Sequence, residues 1–295
     1  MAREGPISFL VFCIAALAIV AAGAGIFLND GPGPYLYQSI RGDTITIYGR
    51  GVYRHMSAEV APQGIAQDYM TLGLGVPLLL ISLFWARGGS LRGRFLLAGT
   101  LGYFLVTYLF YLLMGMYNVL FLAYVALLSA SVFAFALILL SFDVGRLSLG
   151  FHESTPIKIT GGFLVLVAGS IALLWLSMVV PPLLDGTLIP RQAEHYTTLV
   201  VQGLDLAIFL PLAVVAGVLF MRKRPFGYLL APTYFIFLAL MMTALTAKVI
   251  AMAMLGYNVI PVIFIIPAFN FMAMAGALLI LKNIKPTPPA DWSAS

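Results

Sequence analysis

Eight apolar runs divide the chain, each near the length of about 20 residues that a helix needs to cross the hydrocarbon core of a bilayer. Only 9% of the 295 residues are charged and 62% are apolar, which excludes a water-soluble globular domain. The sequence therefore predicts an all-α integral membrane protein of the cell membrane with eight transmembrane helices. The runs cover approximately residues 7 to 28, 69 to 86, 95 to 114, 119 to 142, 161 to 181, 199 to 221, 227 to 250 and 259 to 281. The second run is the shortest, and its helix is expected to start earlier, within the stretch from Glu59 that contains Pro62 and Gly64.

The basic residues between these runs set the expected orientation, because short cytoplasmic loops retain Lys and Arg. If the N-terminus is cytoplasmic, only Arg41, Arg50, Arg54 and Arg191 fall outside. The cytoplasmic set is Arg3, Arg87, Arg92, Arg94, Arg146, Lys158, Arg222, Lys223, Arg224, Lys282 and Lys285. Both termini are therefore expected in the cytoplasm. The net charge of +5 lies in short clusters between apolar runs, so nucleic acid is not an expected partner.

The two halves of the chain resemble each other, which indicates a tandem duplication of four helices. Residues 6 to 146 and 156 to 285 align with the same order of helices and loops. The shared features are a Pro-Ile start (Pro6-Ile7, Pro156-Ile157), a proline in the second helix (Pro77, Pro211), a basic loop and a Tyr-Asn turn (Tyr117-Asn118, Tyr257-Asn258). Because four is an even number, the copies have the same orientation. Parallel repeats of this kind share an axis along the membrane normal, with any cavity between the halves.

The repeat defines the expected domains. The first transmembrane unit covers residues 1–146 and contains an external insertion at 29–68. A cytoplasmic linker at 147–160 leads to the second unit at 161–285, and residues 286–295 form a cytoplasmic tail.

The external insertion has the pattern of a small β-hairpin. Thr44 to Tyr48 alternate with period two, and Gly49-Arg50-Gly51 is a turn signal before Val52 to Arg54. This hairpin would lie over the outer mouth of the bundle, where Arg50, Arg54 and His55 could meet lipid phosphate or an anionic solute. The alternative is a solvated lid that covers helix ends.

Motifs of catalysis or metal binding are absent from the sequence. The single cysteine, Cys13, lies in an apolar run, and the three histidines are scattered over both sides of the membrane. No phosphate loop, zinc-protease motif or nucleophile elbow occurs. No cofactor, metal site or catalytic residue is therefore predicted, and the sequence favours a role without catalysis.

Ionisable residues inside the apolar runs are the exceptions that point to function. Asp205 lies roughly 24 Å along a core of about 30 Å, counted from the cytoplasmic end, and Lys248 on the next helix lies near the outer surface. Gln202 shares a helix face with Asp205, and Asn270 in the last helix could join them. Two interpretations stay open: a solute or proton site, or an ion pair and hydrogen-bond clamp that fixes packing.

Several strings resemble an uncharacterised group of prokaryotic multi-pass membrane proteins. In the second half they are Glu194 to Thr198, Leu204-Asp205-Leu206 and Arg222 to Pro225 followed by Gly227 to Leu230, and in the first half Ile47 to Gly51 and Gly89 to Arg94. The resemblance implies the eight-span arrangement and no activity or ligand set.

Two functional hypotheses follow. The first is a small-solute transporter or permease-like protein, with an outward-facing polar site between the repeats formed by Asp205, Lys248, Gln202 and Asn270 and by Arg50 and Arg54 of the insertion. The second is a receptor, sensor or complex subunit whose external insertion binds a partner. The expected partners are the lipid bilayer and a small solute or ion; the sequence identifies no protein partner.

Overall fold

The computed structural model describes residues 4–285. This part of the chain contains eight helices long and apolar enough to cross a membrane. They are α1 (Gly5–Phe27), α2 (Ala61–Arg87), α3 (Leu91–Leu113), α4 (Phe121–Leu139), α5 (Ile157–Leu184), α6 (Val200–Met221), α7 (Pro225–Met254) and α8 (Val262–Asn283). The predicted multi-pass helical architecture is confirmed. The expected tail at 286–295 and the cytoplasmic position of Arg3 lie outside the described residues.

Seven helices match their apolar runs within a few residues, and α2 extends furthest beyond its run of 69 to 86. The expected earlier start in the stretch from Glu59 is confirmed: the helix begins at Ala61 with Pro62 in its first turn, a position where proline has no helical hydrogen bond to lose. The earlier start brings Gln67 and Asp68 into a membrane-crossing helix, and both side chains are buried.

Helices α3 and α7 form the centre of the bundle. Helix α3 packs against α2, α4 and α7, while α7 also packs against α2, α6 and α8. Gly99 permits the close approach of the central pair, since a Cβ there would lie 2.4 Å from Ile236 Cβ and 3.0 Å from the Thr233 carbonyl oxygen. A small residue at this point lets two helix backbones touch within the membrane.

Helices α2 and α6 each contain one widened, π-helical turn, at Thr71–Gly75 and Asp205–Phe209. In α2 the Val76 N–H donates to the Thr71 carbonyl, and in α6 the Leu210 N–H donates to the Asp205 carbonyl. Each turn ends two residues before a proline, Pro77 or Pro211. In α6 the Tyr234 hydroxyl donates to the Phe209 carbonyl at 2.9 Å, giving that backbone group a partner within the bundle.

A two-stranded antiparallel sheet lies between α1 and α2. Strand β1 (Tyr35–Gln38) pairs with β2 (Thr44–Ile47), so the expected strand at residue 44 exists but its expected partner was wrong. The chain after β2 instead forms a short 3₁₀ turn, Gly51–Tyr53. Gly51 has φ +55, and a Cβ there would lie 2.1 Å from the Leu28 carbonyl oxygen. The turn therefore contacts the end of α1, and the chain after it returns alongside β2 only further on, through an antiparallel bridge between Ile47 and Ser57.

We call residues 29–60 the hairpin segment, and the end of the bundle that it covers the hairpin end. The loop between α5 and α6 meets this segment. Arg41 donates to the carbonyl oxygens of Glu194 and Thr197 at 2.9 and 3.1 Å. The Ser57 N–H also donates to the Tyr196 hydroxyl at 3.2 Å. The hairpin segment thus connects the first four helices to the second four.

The opposite end of the bundle has its own connections. Arg92 donates through Nε to the Ile284 carbonyl at 2.8 Å, and the His152 N–H donates to the Asn283 carbonyl at 2.9 Å. The beginning of α3, the linker before α5 and the end of α8 are therefore held together.

Candidate functional site

Three charged side chains from three helices lie at one level near the hairpin end. Asp68 lies about 10 Å along α2 from Ala61, and Asp205 lies about 8 Å along α6 from Val200. Lys248 lies about 9 Å before the end of α7 at Met254. We call Asp68, Asp205 and Lys248 the charged layer.

Asp68 is the most enclosed member of the layer, with 2% of its surface exposed. The Tyr53 hydroxyl donates to its Oδ2 at 2.5 Å, and the Tyr111 hydroxyl lies 2.9 Å from its Oδ1 and 3.1 Å from the Gly64 carbonyl oxygen, the two acceptors open to its proton. Helix α1 closes the remaining side at Gly25, where a Cβ would lie 1.9 Å from Oδ2. Both carboxylate oxygens therefore have a donor, as a buried carboxylate requires.

Tyr53 belongs to the hairpin segment, outside the membrane-spanning helices. Burial raises the pKa of its hydroxyl well above the ordinary value, and the negative charge of Asp68 raises that pKa further. Tyr53 therefore keeps its proton and acts as a donor to Asp68.

A polar cluster between α2 and α3 continues from Asp68 into the bundle. Gln67 Nε2 donates to the Tyr103 hydroxyl at 2.8 Å and to Thr107 Oγ1 at 3.2 Å. The Thr71 hydroxyl lies 3.0 Å from the Tyr103 hydroxyl. Gln67 Oε1 is buried and has no hydrogen-bond partner among the described residues.

Lys248 interacts electrostatically with both Asp68 and Asp205. Its side chain is partly buried, and within residues 4–285 it forms no salt bridge or hydrogen bond. The ammonium group therefore lies within electrostatic range of carboxylates from the first and second halves of the chain.

Asp205 has fewer partners than Asp68. Trp175 of α5 donates through Nε1 to Asp205 Oδ2 at 2.8 Å. Oδ1 accepts no hydrogen bond from the part of the chain that the structure describes. Asp205 is also the first residue of the π-helical turn of α6, whose irregular backbone is typical of functional positions in helices.

A cavity of about 350 Å³ opens at the hairpin end, on the face of α6 that carries Gln202 and Gly203. Gln202 makes one weak contact, from Nε2 to Met178 Sδ at 3.8 Å, which leaves most of its hydrogen-bonding capacity free for a ligand. The cavity is lined by Arg41, Val179, Leu188, Ile189, Pro190, Ala193, Thr197, Thr198, Leu199, Gln202, Gly203 and Leu206. It connects the rim of the hairpin segment with the helix turn that precedes Asp205.

The other predicted site residues are placed elsewhere. Asn270 accepts a hydrogen bond from the Thr243 hydroxyl at 3.0 Å, between α7 and α8, and has no hydrogen bond to the layer in the described chain. Arg54 forms a salt bridge of 2.5 Å with Asp30, and Arg50 is exposed beside Gly33. The arginine that reaches the cavity is Arg41.

The sequence interpretation did not name Asp68, Tyr53 and Tyr111 as site residues. The expected helix start in the stretch from Glu59 includes Asp68, but the sequence shows no partner for its carboxyl group. The tyrosines carry no signal of their own in a single sequence, because each meets Asp68 only through tertiary packing.

A half-buried carboxyl, that of Glu194, lies outside the membrane-spanning helices, at the contact between the hairpin segment and the α5–α6 loop. Burial raises the pKa of Glu194, and the nearby carboxylate of Glu59 raises it further. Glu194 Oε2 has no hydrogen-bond partner among residues 4–285.

Comparison with protein families, with curated proteins and with solved structures found no match for this chain. The fold and the site define a class all the same: a polytopic α-helical membrane protein with charged side chains enclosed between its helices. The resemblance to prokaryotic multi-pass proteins stays a prediction.

Proposed function

We propose that the protein is a transporter or permease-like protein for a small polar solute, which binds beside the charged layer. The observation that carries this proposal is Lys248, an ammonium group inside a membrane bundle that faces two carboxylates and is bonded to neither. Charged groups at this depth are costly, and their usual use is in solute or ion pathways. If the three groups only stabilised helix packing, Lys248 would form a direct salt bridge with one of the two carboxylates.

The layer draws its members from both halves of the chain, as an alternating-access site requires. Asp68 comes from the first four helices, whereas Asp205 and Lys248 come from the second four. A small rotation between the halves would change which carboxylate is nearer to Lys248. The solute would enter by the cavity beside Gln202 and meet the layer at Asp205.

The proposed tandem repeat is supported by matched local features. Gly93 follows Pro77 at the same spacing as Gly227 follows Pro211. A Cβ on Gly93 would meet the backbone of Trp85 and Ala86, and a Cβ on Gly227 would meet that of Leu219 and Phe220, the equivalent residues. The π-helical turns of α2 and α6 also precede their prolines at the same distance.

Two further observations support a repeat with an axis between α3 and α7. Gly99 and its equivalent, Thr233, contact each other across the central helix pair, as residues on a pseudo-two-fold axis would. In the two Tyr-Asn turns, Asn118 Oδ1 accepts from the Leu120 N–H and Asn258 Oδ1 accepts from the Ile260 N–H. The proposed solute site does not include three of the residues predicted from the sequence, Arg50, Arg54 and Asn270.

The proposed orientation in the cell membrane places both termini and the basic loops in the cytoplasm. The hairpin end then faces outward, so the charged layer lies about 10 Å below the outer ends of the helices. The solute site is closer to the outer surface than to the cytoplasm.

The proposal is tested by thermal stability of the purified protein across a panel of amino acids, organic ammonium compounds, organic acids and inorganic ions. A compound that binds only the folded state raises its stability. We expect at least one compound to stabilise the wild type, Asp43→Asn and Lys158→Met, but neither Asp205→Asn nor Lys248→Met. The two control positions are exposed.

A second candidate function is a receptor or complex subunit, which is favoured by the apolar surface of the hairpin segment. Leu36 and Ile40 are 74% and 92% exposed. If no compound is selective and both layer variants lose stability strongly, the layer is a clamp. The next experiment would then be capture of a protein partner by the hairpin segment.

A further inference from the structure

We propose that the cavity at the hairpin end binds an amphipathic anion, which is a carboxylate or phosphate group on an apolar chain. Its charged group would lie beside Arg41 and its chain between α5 and α6. The inference goes beyond the proposed function, because it concerns the occupant of the cavity and holds for a transporter and a receptor alike. In a transporter, such an occupant would cover the entrance ascribed to the solute.

The charge of the cavity wall comes from one side chain, that of Arg41 in the hairpin segment. Its guanidinium group is half-buried and donates to the carbonyl oxygens of Glu194 and Thr197. A guanidinium group has five N–H donors, so these two bonds leave donors for a ligand. Arg41 forms no salt bridge within residues 4–285, and the described wall contains no aspartate or glutamate. The wall therefore carries a positive charge that no carboxylate balances.

The first turn of α6 adds neutral hydrogen-bonding groups to the same wall, where Leu199, Gln202 and Gly203 line the cavity. No side chain caps the helix at Leu199, so the first N–H groups of α6 are open to a ligand. The amide of Gln202 is also open, since its one contact is the weak one to Met178. Together with the guanidinium group, these donors favour an anionic group.

Much of the remaining wall is apolar. Val179 of α5 and Leu206 of α6 line the cavity about 8 and 9 Å from the hairpin ends of their helices. Leu188 of the connecting loop lines it as well and is exposed. An alkyl chain against these side chains is removed from water, which stabilises the complex, whereas a small inorganic anion gains nothing from them. The wall therefore fits an anion that carries an apolar chain.

The packing of α5 against α6 explains why there is space at this end. Near the opposite end the two backbones touch, since a Cβ on Gly161 would lie 2.7 Å from the Gly217 carbonyl oxygen. Closer to the hairpin end, side chains join the helices, and Trp175 Nε1 donates to Asp205 Oδ2 at 2.8 Å. The helix pair therefore opens toward the hairpin segment, where Arg41 lies.

The test measures the midpoint of thermal unfolding of the protein in phosphatidylcholine nanodiscs with added octanoate. We expect octanoate to raise the midpoint of the wild type with increasing concentration, because a ligand that binds the folded state stabilises it. Acetate lacks the chain and octylammonium has the opposite charge, so neither should raise the midpoint.

The first variant removes the charge of the wall. In Arg41→Gln the half-maximal rise should require roughly tenfold more octanoate, the factor expected when a hydrogen bond to a charged group is lost. The matched control is Arg50→Gln, which changes an exposed arginine of the same segment that does not line the cavity.

The second variant fills the cavity and leaves Arg41 and its bonds in place. Gly203→Leu adds a side chain where a Cβ meets no atom within 4 Å, so the protein should fold and lose its response to octanoate. Its control is Gly169→Leu, at an exposed position of α5 with the same free space and outside the wall. This variant decides the result if the lost bonds of Arg41 impair folding.

Two sources supply this chemistry, an anionic phospholipid of the adjacent leaflet or a free organic anion. Nanodiscs that contain phosphatidylglycerol separate them. If a lipid is the occupant, phosphatidylglycerol alone raises the midpoint of the wild type but not of Gly203→Leu, and octanoate adds little. If the occupant is a free anion, phosphatidylglycerol leaves the midpoint unchanged and octanoate gives its full rise.

Three results would overturn the proposal. One is a wild-type midpoint that neither octanoate nor phosphatidylglycerol raises, and another is an equal rise with octylammonium. The third is a response of Gly203→Leu equal to that of the wild type. None of these measurements involves the charged layer or transport, so the proposed function can fail separately.

Discussion

At the scale of single residues, the environment of Asp68 decides how the site is built. Its two oxygens receive phenol donors from the hairpin segment and from α3. A carboxylate in this place would be destabilising without them, because desolvation is uncompensated in a membrane bundle. Tyr53 and Tyr111 therefore position Asp68 and preserve its charge.

Removing either phenol hydroxyl should lower stability. Tyr53→Phe and Tyr111→Phe each leave an oxygen of Asp68 without its donor, and a hydrogen bond to a charged group contributes about 1.5–3 kcal/mol. We expect a loss of about that size for each, measured by thermal unfolding in detergent. Tyr35→Phe is the control, since its ring is 42% exposed on β1. Equal stability of all three variants would contradict the account of Asp68.

Glu194 makes stability depend on pH at the contact between the hairpin segment and the α5–α6 loop. Because its pKa is raised in the folded state, the folded protein binds more protons than the unfolded chain between the ordinary and the raised value. The stability contributed by this group is present at low pH and falls as pH rises through that interval.

Glu194→Gln should therefore be more stable than the wild type at neutral pH, with a flatter stability profile across the acid range. Thermal unfolding at a series of pH values measures both. The control, Glu153→Gln, changes an exposed carboxyl in the loop before α5, away from this contact. A neutral-pH loss of stability in Glu194→Gln would show that the carboxylate is paired rather than buried at a cost.

At the scale of secondary-structure elements, most of the fold could be predicted from the apolar runs, because a bilayer fixes the length and polarity of a spanning helix. The start of α2 in the stretch from Glu59 could also be predicted, because the apolar run at 69 to 86 is too short on its own, whereas the roles of Gln67 and Asp68 could not, because they depend on tertiary partners. The π-helical turns could not be predicted from the sequence. Each of the two helices contains a proline, but the widened turn lies before the proline and has no sequence signal of its own. The partner of β2 was wrong because Tyr53 leaves the sheet to reach Asp68.

The central α3–α7 contact depends on Gly99. Gly99→Ala would place a methyl group 2.4 Å from Ile236 Cβ, and overpacking of this kind costs about 1–3 kcal/mol. We expect a lower midpoint of thermal unfolding. Gly162→Ala is the control, because a Cβ there meets no atom within 4 Å. Similar unfolding midpoints for the two variants would show that α3 and α7 can move apart to accommodate the methyl group without loss of stability.

At the scale of the whole molecule, the charged layer joins the two halves that the sequence presents as copies. Asp205, Lys248 and Gln202 could be selected from sequence because charged and amide groups stand out in apolar runs. Asn270 could not be separated from them, since only packing shows that it pairs with Thr243. Arg41 could not be distinguished from Arg50 and Arg54, because all three lie in one loop.

The most direct test of the transport account is access to the layer from each side of the membrane. Leu206→Cys places a thiol on the cavity wall next to Asp205, and Cys13→Ser removes the single native cysteine. A membrane-impermeant maleimide is added to right-side-out and inside-out vesicles, with and without the compound that stabilises the wild type. The account predicts labelling from the hairpin side that the compound reduces, with a rise in labelling from the opposite side. Labelling from one side only, unchanged by the compound, would contradict transport.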